Sequence, residues 1–410
     1  MKSDRLPNRW GISVAAVCVQ LCLGAGYGWS VFKNPLMSLE HWSETSVQLN
    51  FTLAFLCFGL GTIAGGMWQD RVGPRKVTRI AGLLFGTGYI LAGLSTSSHS
   101  LGGIYFGYGL LGGFGMGMGY ICPVAMLLKW FPDKRGLMTG VAVCGFGFSA
   151  LIMSPFAAWE IIRYGVPATF WTLGIVYLLV VVGATQFFSV PPPGWAPAKW
   201  QPAVGVARMA RPADFTLSEA IRTWQFYLLF FMLFFDLAAG FMVISQASPM
   251  AQEMVGMTVL KAANMVGLIS IFNGLGRLSW AILSDHLGRA RVYFLIFALE
   301  AGLFSMLPHI HNSTLFSIAF SLIGFCFGGG LGTMPSFAAD YFGTTALGGI
   351  YGLILFGANV GGTVSPIIIA HIHQNLGKYA PATNMITVAV CCALLLPLAA
   401  RRPIRCPGVA

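Results

Sequence analysis

Long apolar blocks dominate this sequence and restrict what it can fold into. Each block is close to the roughly 20 residues that a helix needs to cross the hydrocarbon core of a bilayer. The blocks are 12–32, 48–68, 77–96, 101–128, 136–159, 165–190, 225–246, 260–284, 292–307, 313–335, 345–371 and 381–400. Only 9% of the residues are charged, too few to cover a surface that faces water on all sides. The sequence therefore predicts an all-α integral membrane protein with twelve transmembrane helices, and it excludes a soluble enzyme.

The distribution of basic residues predicts the orientation of these helices. With twelve spans both termini lie on one side of the membrane, and 19 of the 24 Lys and Arg residues fall on that side. The opposite side has only Lys33, Arg163, Lys261 and Lys378. Since basic loops remain in the cytoplasm, we predict a multi-pass protein of the cell membrane with both termini cytoplasmic. The net charge of +11 then follows from topology and requires no nucleic-acid partner.

A long polar stretch divides the spans into six and six. We predict an N-terminal half at 1–190, a cytoplasmic linker at 191–224 that opens on Pro-Pro-Pro-Gly-Trp, and a C-terminal half at 225–410. A repeat supports this division, because Asp-Arg-Val-Gly at 70–73 and Asp-His-Leu-Gly at 285–288 each follow the second helix of a half. Matched motifs of this kind are typical of duplicated halves.

Six plus six helices with this repeated loop resemble the major facilitator superfamily over the whole chain. The resemblance implies a fold of two six-helix halves that rock around a central site in alternating access. Because the loops carry acidic and basic residues at helix ends, we expect charge pairs that close the cytoplasmic side. Simple anchoring of the loops in the cytoplasm is the alternative. The predicted gate residues are Asp70, Arg71, Arg75, Asp285 and Arg289.

Four shorter strings are similar to the oxalate:formate antiporter and monocarboxylate porter group. They are Trp-Phe-Pro-Asp-Lys-Arg-Gly at 130–136, Tyr-Gly-Trp at 27–29, Phe-Asn-Gly-Leu-Gly-Arg at 272–277 and Tyr-Phe-Gly at 341–343. This resemblance implies a small carboxylate as substrate, with Asn273, Tyr27, Tyr120 and Phe327 at the binding pocket. Oxalate-carrying members have a second cation, a lysine, in the eleventh helix, and Ala358 stands at that position here.

Arg277 is a candidate substrate ligand even without the resemblance. It lies eight residues before Asp285, which places it about 12 Å along its helix, near the bilayer centre. A cation there costs at least about 2.5–3.5 kcal/mol, and such residues usually face a cavity. A guanidinium also matches a carboxylate bidentately. The alternative is a structural ion pair with Asp236 or Glu300.

These features predict a secondary active transporter for small monocarboxylates, resembling lactate or pyruvate, because one fixed cation suits one carboxylate. Organic anion exchange of the oxalate/formate type and export of larger amphiphiles remain alternatives. Asn273 stands where proton-coupled relatives have an acidic residue, and an asparagine cannot take up a proton. If transport is coupled to protons, the candidate groups are therefore Asp236 and Glu300. We expect no enzymatic activity, no metal site, no cofactor and a monomer in the lipid bilayer.

Overall fold

The fold is helical throughout the part of the chain that is described. The computed structural model describes residues 7–192, 195–197 and 214–403. Its helices are α1 (Arg9–Leu23), α2 (Ser30–Glu40), α3 (Glu44–Val72), α4 (Pro74–Ser97), α5 (Leu101–Ile104), α6 (Gly113–Trp130), α7 (Arg135–Ala184), α8 (Leu217–Ala220), α9 (Trp224–Val255), α10 (Val259–Leu287), α11 (Arg289–Met306), α12 (Ser313–Phe342), α13 (Leu347–Leu376) and α14 (Ala380–Ala393). A 3₁₀ segment, Gly24–Trp29, joins α1 to α2, and a π-helix, Tyr105–Gly112, joins α5 to α6.

The described residues contain enough helix for the twelve crossings that the sequence predicts. Within the described residues, eleven helical segments are long and apolar enough to span a membrane, and one of them, Arg135–Phe187, has 53 residues. That segment breaks at Gly165, whose φ of 83° and ψ of 169° are not helical, so it contains two crossings. The all-α membrane fold is therefore confirmed.

The repeated Asp-x-x-Gly motif forms the same backbone turn twice. Gly73 ends α3 with φ 86° and Gly288 ends α10 with φ 92°, a region that only glycine adopts readily. Each glycine N–H donates to a carbonyl four residues earlier, of Gln69 and of Ser284. The sequence repeat thus encodes one sharp connection between consecutive helices, α3 to α4 and α10 to α11.

The chain divides into two compact units. The first comprises Met1–Val204 together with Leu347–Gly352, and the second comprises Gly205–Ala346 and Leu353–Ala410. Most of the predicted linker, at 193–194 and 198–213, lies outside the described residues. Its last residues pack within the second unit, where Phe215 N–H donates to the Phe342 carbonyl at 3.0 Å.

Two of the strings singled out in the sequence contact segments that lie at or just before the start of a helix. In the first unit Arg9 forms a bidentate ion pair with Asp133, at 2.8 and 3.2 Å, and its guanidinium lies 4.6 Å from the Phe131 ring centroid. In the second unit Asp214 accepts from the Thr344 N–H at 3.1 Å, directly after the Tyr-Phe-Gly string. Both strings therefore have a structural role at helix ends.

Glycines allow the helices inside each unit to touch through their backbones. In the first unit a Cβ at Gly117 on α6 would overlap the Phe58 carbonyl of α3. In the second unit a Cβ at Gly276 on α10 would overlap the Phe325 carbonyl of α12. Large apolar side chains such as Ile162, Leu179 and Leu395 remain exposed on the outside. That pattern is typical of helices that pack on each other through small residues and face lipid with large ones.

Candidate functional site

Arg277 is buried in the second unit and held by a residue on its own helix. The side chain on α10 is 1% exposed, and its Nε donates to Asn273 Oδ1 at 3.1 Å. Asn273 lies one turn earlier on the same face, and its Nδ2 donates to the Gly324 carbonyl of α12 at 3.2 Å. Asn273 therefore fixes the guanidinium with respect to two helices. The arrangement presents a positioned cation in an apolar interior, which can pair with an anion.

A glycine-rich face of α12 lets α10 approach at these two residues. A Cβ at Gly328 would overlap the carbonyl oxygen of Asn273, and a Cβ at Gly332 would overlap that of Arg277. No side chain other than hydrogen fits at either position without moving a helix. The glycines of α12 thus determine how closely the backbone of Arg277 is held.

Two acidic side chains are fully buried in the same unit. Asp236 on α9 and Glu300 on α11 are both 0% exposed. Within the described residues, none of their four carboxyl oxygens accepts a hydrogen bond. Arg277 and Glu300 both lie within electrostatic range of Asp236. The structure therefore brings together the predicted substrate ligand and both predicted proton-coupling residues in one unit.

Gly330 of α12 creates the space for the Asp236 carboxyl. A Cβ at Gly330 would overlap Asp236 Oδ2. The Tyr293 hydroxyl of α11 donates to the carbonyl of the same glycine at 2.7 Å. The tyrosine is thus bonded to the backbone of α12. Cys326, one turn earlier on α12, is also within electrostatic range of both acids.

In the first unit Tyr27 and Tyr120 share one aromatic neighbour. Their ring centroids lie 5.2 and 5.1 Å from that of Phe146 on α7, and both contacts are edge-to-face. Phe58 of α3 adds a further edge contact with Tyr120 at 5.4 Å. The two tyrosines that the family resemblance selects therefore belong to a single aromatic cluster, whereas Phe146 and Phe58 were not selected.

Sequence reasoning also missed Gln20. This residue is completely buried on α1, and its Nε2 donates to the backbone carbonyl of Tyr120 at 3.1 Å. A glutamine within an apolar span is itself a signal, because burying an amide is costly unless it is hydrogen-bonded. Gln20 connects α1 to the part of α6 that carries Tyr120.

The last predicted pocket residue, Phe327, also lies in the second unit, on α12. Phe327, 1% exposed, packs against Gly240 of α9 and lies 5.7 Å from the Phe241 ring. Ala358 on α13 is completely buried. Its neighbour Asn359 donates back to the Leu355 carbonyl of its own helix at 2.8 Å. The position at which the family resemblance suggests a second cation in oxalate carriers is therefore occupied here by a buried apolar residue.

Of the predicted gate residues, Asp70 has the most specific contacts. It lies at the end of α3, and its carboxylate accepts from the backbone N–H groups of Gly348 and Gly349, at 3.3 and 2.8 Å. These residues are the first turn of α13 and belong to the first unit. A carboxylate at a helix N-terminus is stabilised by unpaired N–H groups and by the helix dipole.

The basic gate residues have neighbours within their own units. Arg75 donates to the Gln186 side chain, and Arg71 is exposed. In the second unit Arg289 pairs with Asp285 one turn earlier at 2.6 Å. It also pairs with Asp340 of α12 at 3.0 Å. Asp340 was not predicted, because it lies 51 residues away in the sequence.

The chain matches a family model described as Major Facilitator Superfamily. The match covers residues 14–366, and a second match covers residues 229–408. Together these ranges include nearly all of the helices described above.

Similar proteins include bacterial and eukaryotic transporters. An uncharacterized MFS-type transporter, YhjX, of Escherichia coli is 30% identical over 356 residues, which cover 86% of each chain. The oxalate:formate antiporter of Oxalobacter formigenes is 28% identical over 373 residues, 88% of this chain and 86% of that one. Apicoplast pyruvate carrier 1 of Toxoplasma gondii is 25% identical over 391 residues, 82% of this chain and 70% of that one.

A solved structure has the same fold at low sequence identity. The transporter FucP, crystallised in its outward conformation, superposes with a TM-score of 0.72 at 13% identity. The alignment covers 94% of this chain and 98% of that chain.

Proposed function

Since the chain belongs to the major facilitator superfamily of membrane transporters, we propose that it carries small monocarboxylates across the cell membrane by alternating access. Lactate-like or pyruvate-like anions are the substrates that we assign to it, with proton coupling through a buried carboxyl group. We place both termini in the cytoplasm, on the distribution of basic residues.

The main support for this proposal is the burial and orientation of the Arg277 side chain. A guanidinium that is 1% exposed in a spanning helix, and oriented by Asn273, is suited to bind one carboxylate in a planar fork. The names of two relatives, an oxalate:formate antiporter and a pyruvate carrier, indicate small carboxylates as the class of substrate.

The residue at position 358 favours one carboxylate over two. Ala358 is completely buried, and its methyl side chain carries no charge that could pair with a second carboxylate. A buried carboxylate without a partner costs several kcal/mol. Exchange of oxalate and formate is the second candidate, favoured by the likeness to the oxalate:formate antiporter. Preference for a monocarboxylate over oxalate distinguishes the two.

We also assign the cytoplasmic gate to the two repeated loops. Asp70 accepts hydrogen bonds from the start of α13, and Arg289 bridges Asp285 and Asp340. Charge pairs at helix ends can form and separate as the transporter changes state. Arg71 and Arg75 extend the basic surface of the first loop.

The test is counterflow exchange in proteoliposomes loaded with individual C1–C4 acids. In the parent protein, lactate or pyruvate should compete with labelled substrate more strongly than oxalate does. Arg277→Lys should lose at least about tenfold in affinity, because it retains the charge but not the bidentate fork. The matched control is Arg291→Lys, an exposed arginine at the start of α11, which should exchange at the parental rate.

Three results would contradict the proposal. Parental affinity in Arg277→Lys would remove this residue from the binding site. Tighter binding of oxalate than of lactate or pyruvate would favour the exchanger of dicarboxylates. No exchange of any small acid by the parent, with exchange of larger amphiphiles instead, would replace the substrate class.

A further inference from the structure

A cavity of about 490 Å³ lies at one end of the first unit, where three chain segments meet. The last turn of α2 contributes Glu40, the last turn of α4 contributes Ser97, and the break in α7 contributes Gly165. On the topology that we propose, this end faces away from the cytoplasm. Cavities that bind small molecules usually have volumes of roughly 300–1,000 Å³, so this one is large enough to hold a ligand.

Glu40 brings a buried carboxylate to this cavity. Its side chain is 1% exposed, and its Oε2 lies 2.7 Å from Nδ1 of His99. Its Oε1 is buried and accepts no hydrogen bond from any residue that the structure describes. A buried carboxylate oxygen without a donor is costly. The His99 side chain is 73% exposed, and exposed side chains change rotamer readily, so a ligand can displace it and reach the carboxylate.

Two helix ends give the cavity a negative potential. α2 ends at Glu40 and α4 ends at Ser97, and both residues line the cavity. The carbonyl end of a helix is the negative end of its dipole, so it attracts cations and disfavours a carboxylate that has no positive partner. The carboxylate of Glu40 and the two helix ends therefore all favour a cation.

The hydroxyl groups of the lining act as hydrogen-bond acceptors. Ser38, Thr96 and Ser97 each donate their proton to a carbonyl of their own helix. The pairs are Ser38 and Pro35 at 3.0 Å, Thr96 and Ala92 at 2.9 Å, and Ser97 and Gly93 at 3.2 Å. A hydroxyl oxygen that has donated its proton still has lone pairs that accept. These groups therefore suit a ligand that donates hydrogen bonds, and they have no free proton for an anion.

Apolar side chains form much of the remaining wall. Pro35 and Leu39 come from α2, and Ile161, Val166 and Pro167 come from the two arms of α7. Burial of apolar ligand surface against such side chains is favourable. The occupant should therefore combine a cationic donor with an apolar chain.

We propose that this cavity binds a primary ammonium ion that carries an apolar chain. The ammonium group donates to Glu40 Oε1 and to the hydroxyl oxygens of the lining, and the chain lies against α7. The carboxylate and the two helix ends exclude an anion, so this site differs in chemistry from the one at Arg277. The proposal does not depend on the transport of monocarboxylates, since none of these residues takes part in that assignment.

The test is calorimetric titration of the full-length protein in an uncharged detergent, with n-hexylammonium as the probe. Three ligands match its chain, and each lacks one feature. Hexyltrimethylammonium has the charge without N–H donors, hexanol has a donor without the charge, and hexanoate has the opposite charge. Each should bind at least about tenfold more weakly than hexylammonium, because it loses the charge or the charged hydrogen bond. Hexylammonium should also raise the melting temperature, as a ligand of the folded state does.

Replacement of the acid tests the role of its charge. Glu40→Gln should weaken hexylammonium binding at least about tenfold. The matched control is Glu253→Gln, which removes an acid that also lies 2.7 Å from a histidine nitrogen, but in the second unit. It should bind the probe as the parent does. Cooperative thermal unfolding shows that each variant is folded.

A tethered cation provides a second test that leaves the carboxylate in place. Ser97→Lys puts an ammonium group on the cavity wall at an exposed position, so it should compete with the probe and abolish its binding. Ser98→Lys adds the same charge one residue later, at an exposed position outside the lining of the cavity. Its affinity for the probe should stay within about twofold of the parent.

Bilayer nanodiscs distinguish two sources of the ammonium group. Probe binding that is lost in phosphatidylethanolamine but retained in phosphatidylcholine, whose headgroup has no N–H donor, would support the site and assign it to a lipid headgroup. Probe binding in both bilayers would support the site and assign it to a soluble amine.

Several results would overturn the inference. Parental affinity in folded Glu40→Gln or Ser97→Lys would place the probe elsewhere. Binding of hexanol or hexanoate as tight as that of hexylammonium would show that the cavity does not select a cation. Absence of probe binding to the parent in detergent, or in both bilayers, would remove the site. Each of these results leaves the proposed transport of monocarboxylates intact.

Discussion

The hydrogen bond from Arg277 to Asn273 provides the most quantitative prediction. Asn273→Ala removes the acceptor that orients the guanidinium Nε at 3.1 Å, and it also removes the side-chain donor to the Gly324 carbonyl at 3.2 Å. A hydrogen bond to a charged group contributes about 1.5–3 kcal/mol. Since about 1.4 kcal/mol corresponds to a factor of ten, the dissociation constant for a monocarboxylate should rise roughly 10- to 100-fold.

The assay is equilibrium binding of labelled lactate or pyruvate to purified protein at one fixed pH. Asn359→Ala is the matched control, because Asn359 is also a buried asparagine of a spanning helix but donates to its own backbone. Its affinity should remain within about twofold of the parent. If Asn273→Ala is equally tight while the protein remains folded, then the hydrogen bond does not orient the arginine for substrate, and the reasoning fails.

Two further predictions concern helix packing. Gly328→Ala should lower the stability of the protein by about 1–3 kcal/mol, since the new Cβ overlaps the Asn273 carbonyl. Gly302→Ala, at an exposed position with open space, should be neutral or stabilising. Thermal unfolding in detergent measures both, and equal melting temperatures of the two variants would contradict the close contact at Gly328. Asp70→Asn should cost about 0.3–2 kcal/mol, because the charge at the N-terminus of α13 is lost, and an unchanged melting temperature would show that this charge is not stabilising.

Features that depend on neighbouring residues in the sequence were predictable. The twelve crossings follow from block length, and the break at Gly165 coincides with the predicted start of a span. The pairing of Asn273 with Arg277 follows the four-residue spacing of a helix face. The repeated Asp-x-x-Gly motif predicts equal turns, which Gly73 and Gly288 form.

Features that depend on the rotation and packing of helices were not predictable. A spanning helix is apolar on all sides, so its sequence does not indicate which face meets which neighbour. Asp340 as a partner of Arg289 and Phe146 as the neighbour of both tyrosines depend on such packing. The close approach of Asp236 to Gly330 likewise joins helices that are distant in sequence.

The break at Gly165 has a consequence for how the chain is synthesised. The arms of α7 before and after this glycine follow each other directly, with no loop of several residues between them. Because no polar loop separates the two arms, they can enter the bilayer together during synthesis. Arg163, two residues before the turn, lies over the rings of Trp159 and Tyr164, at 5.9 and 6.0 Å. The aromatic faces attract the guanidinium, which favours its position at the turn between the two arms.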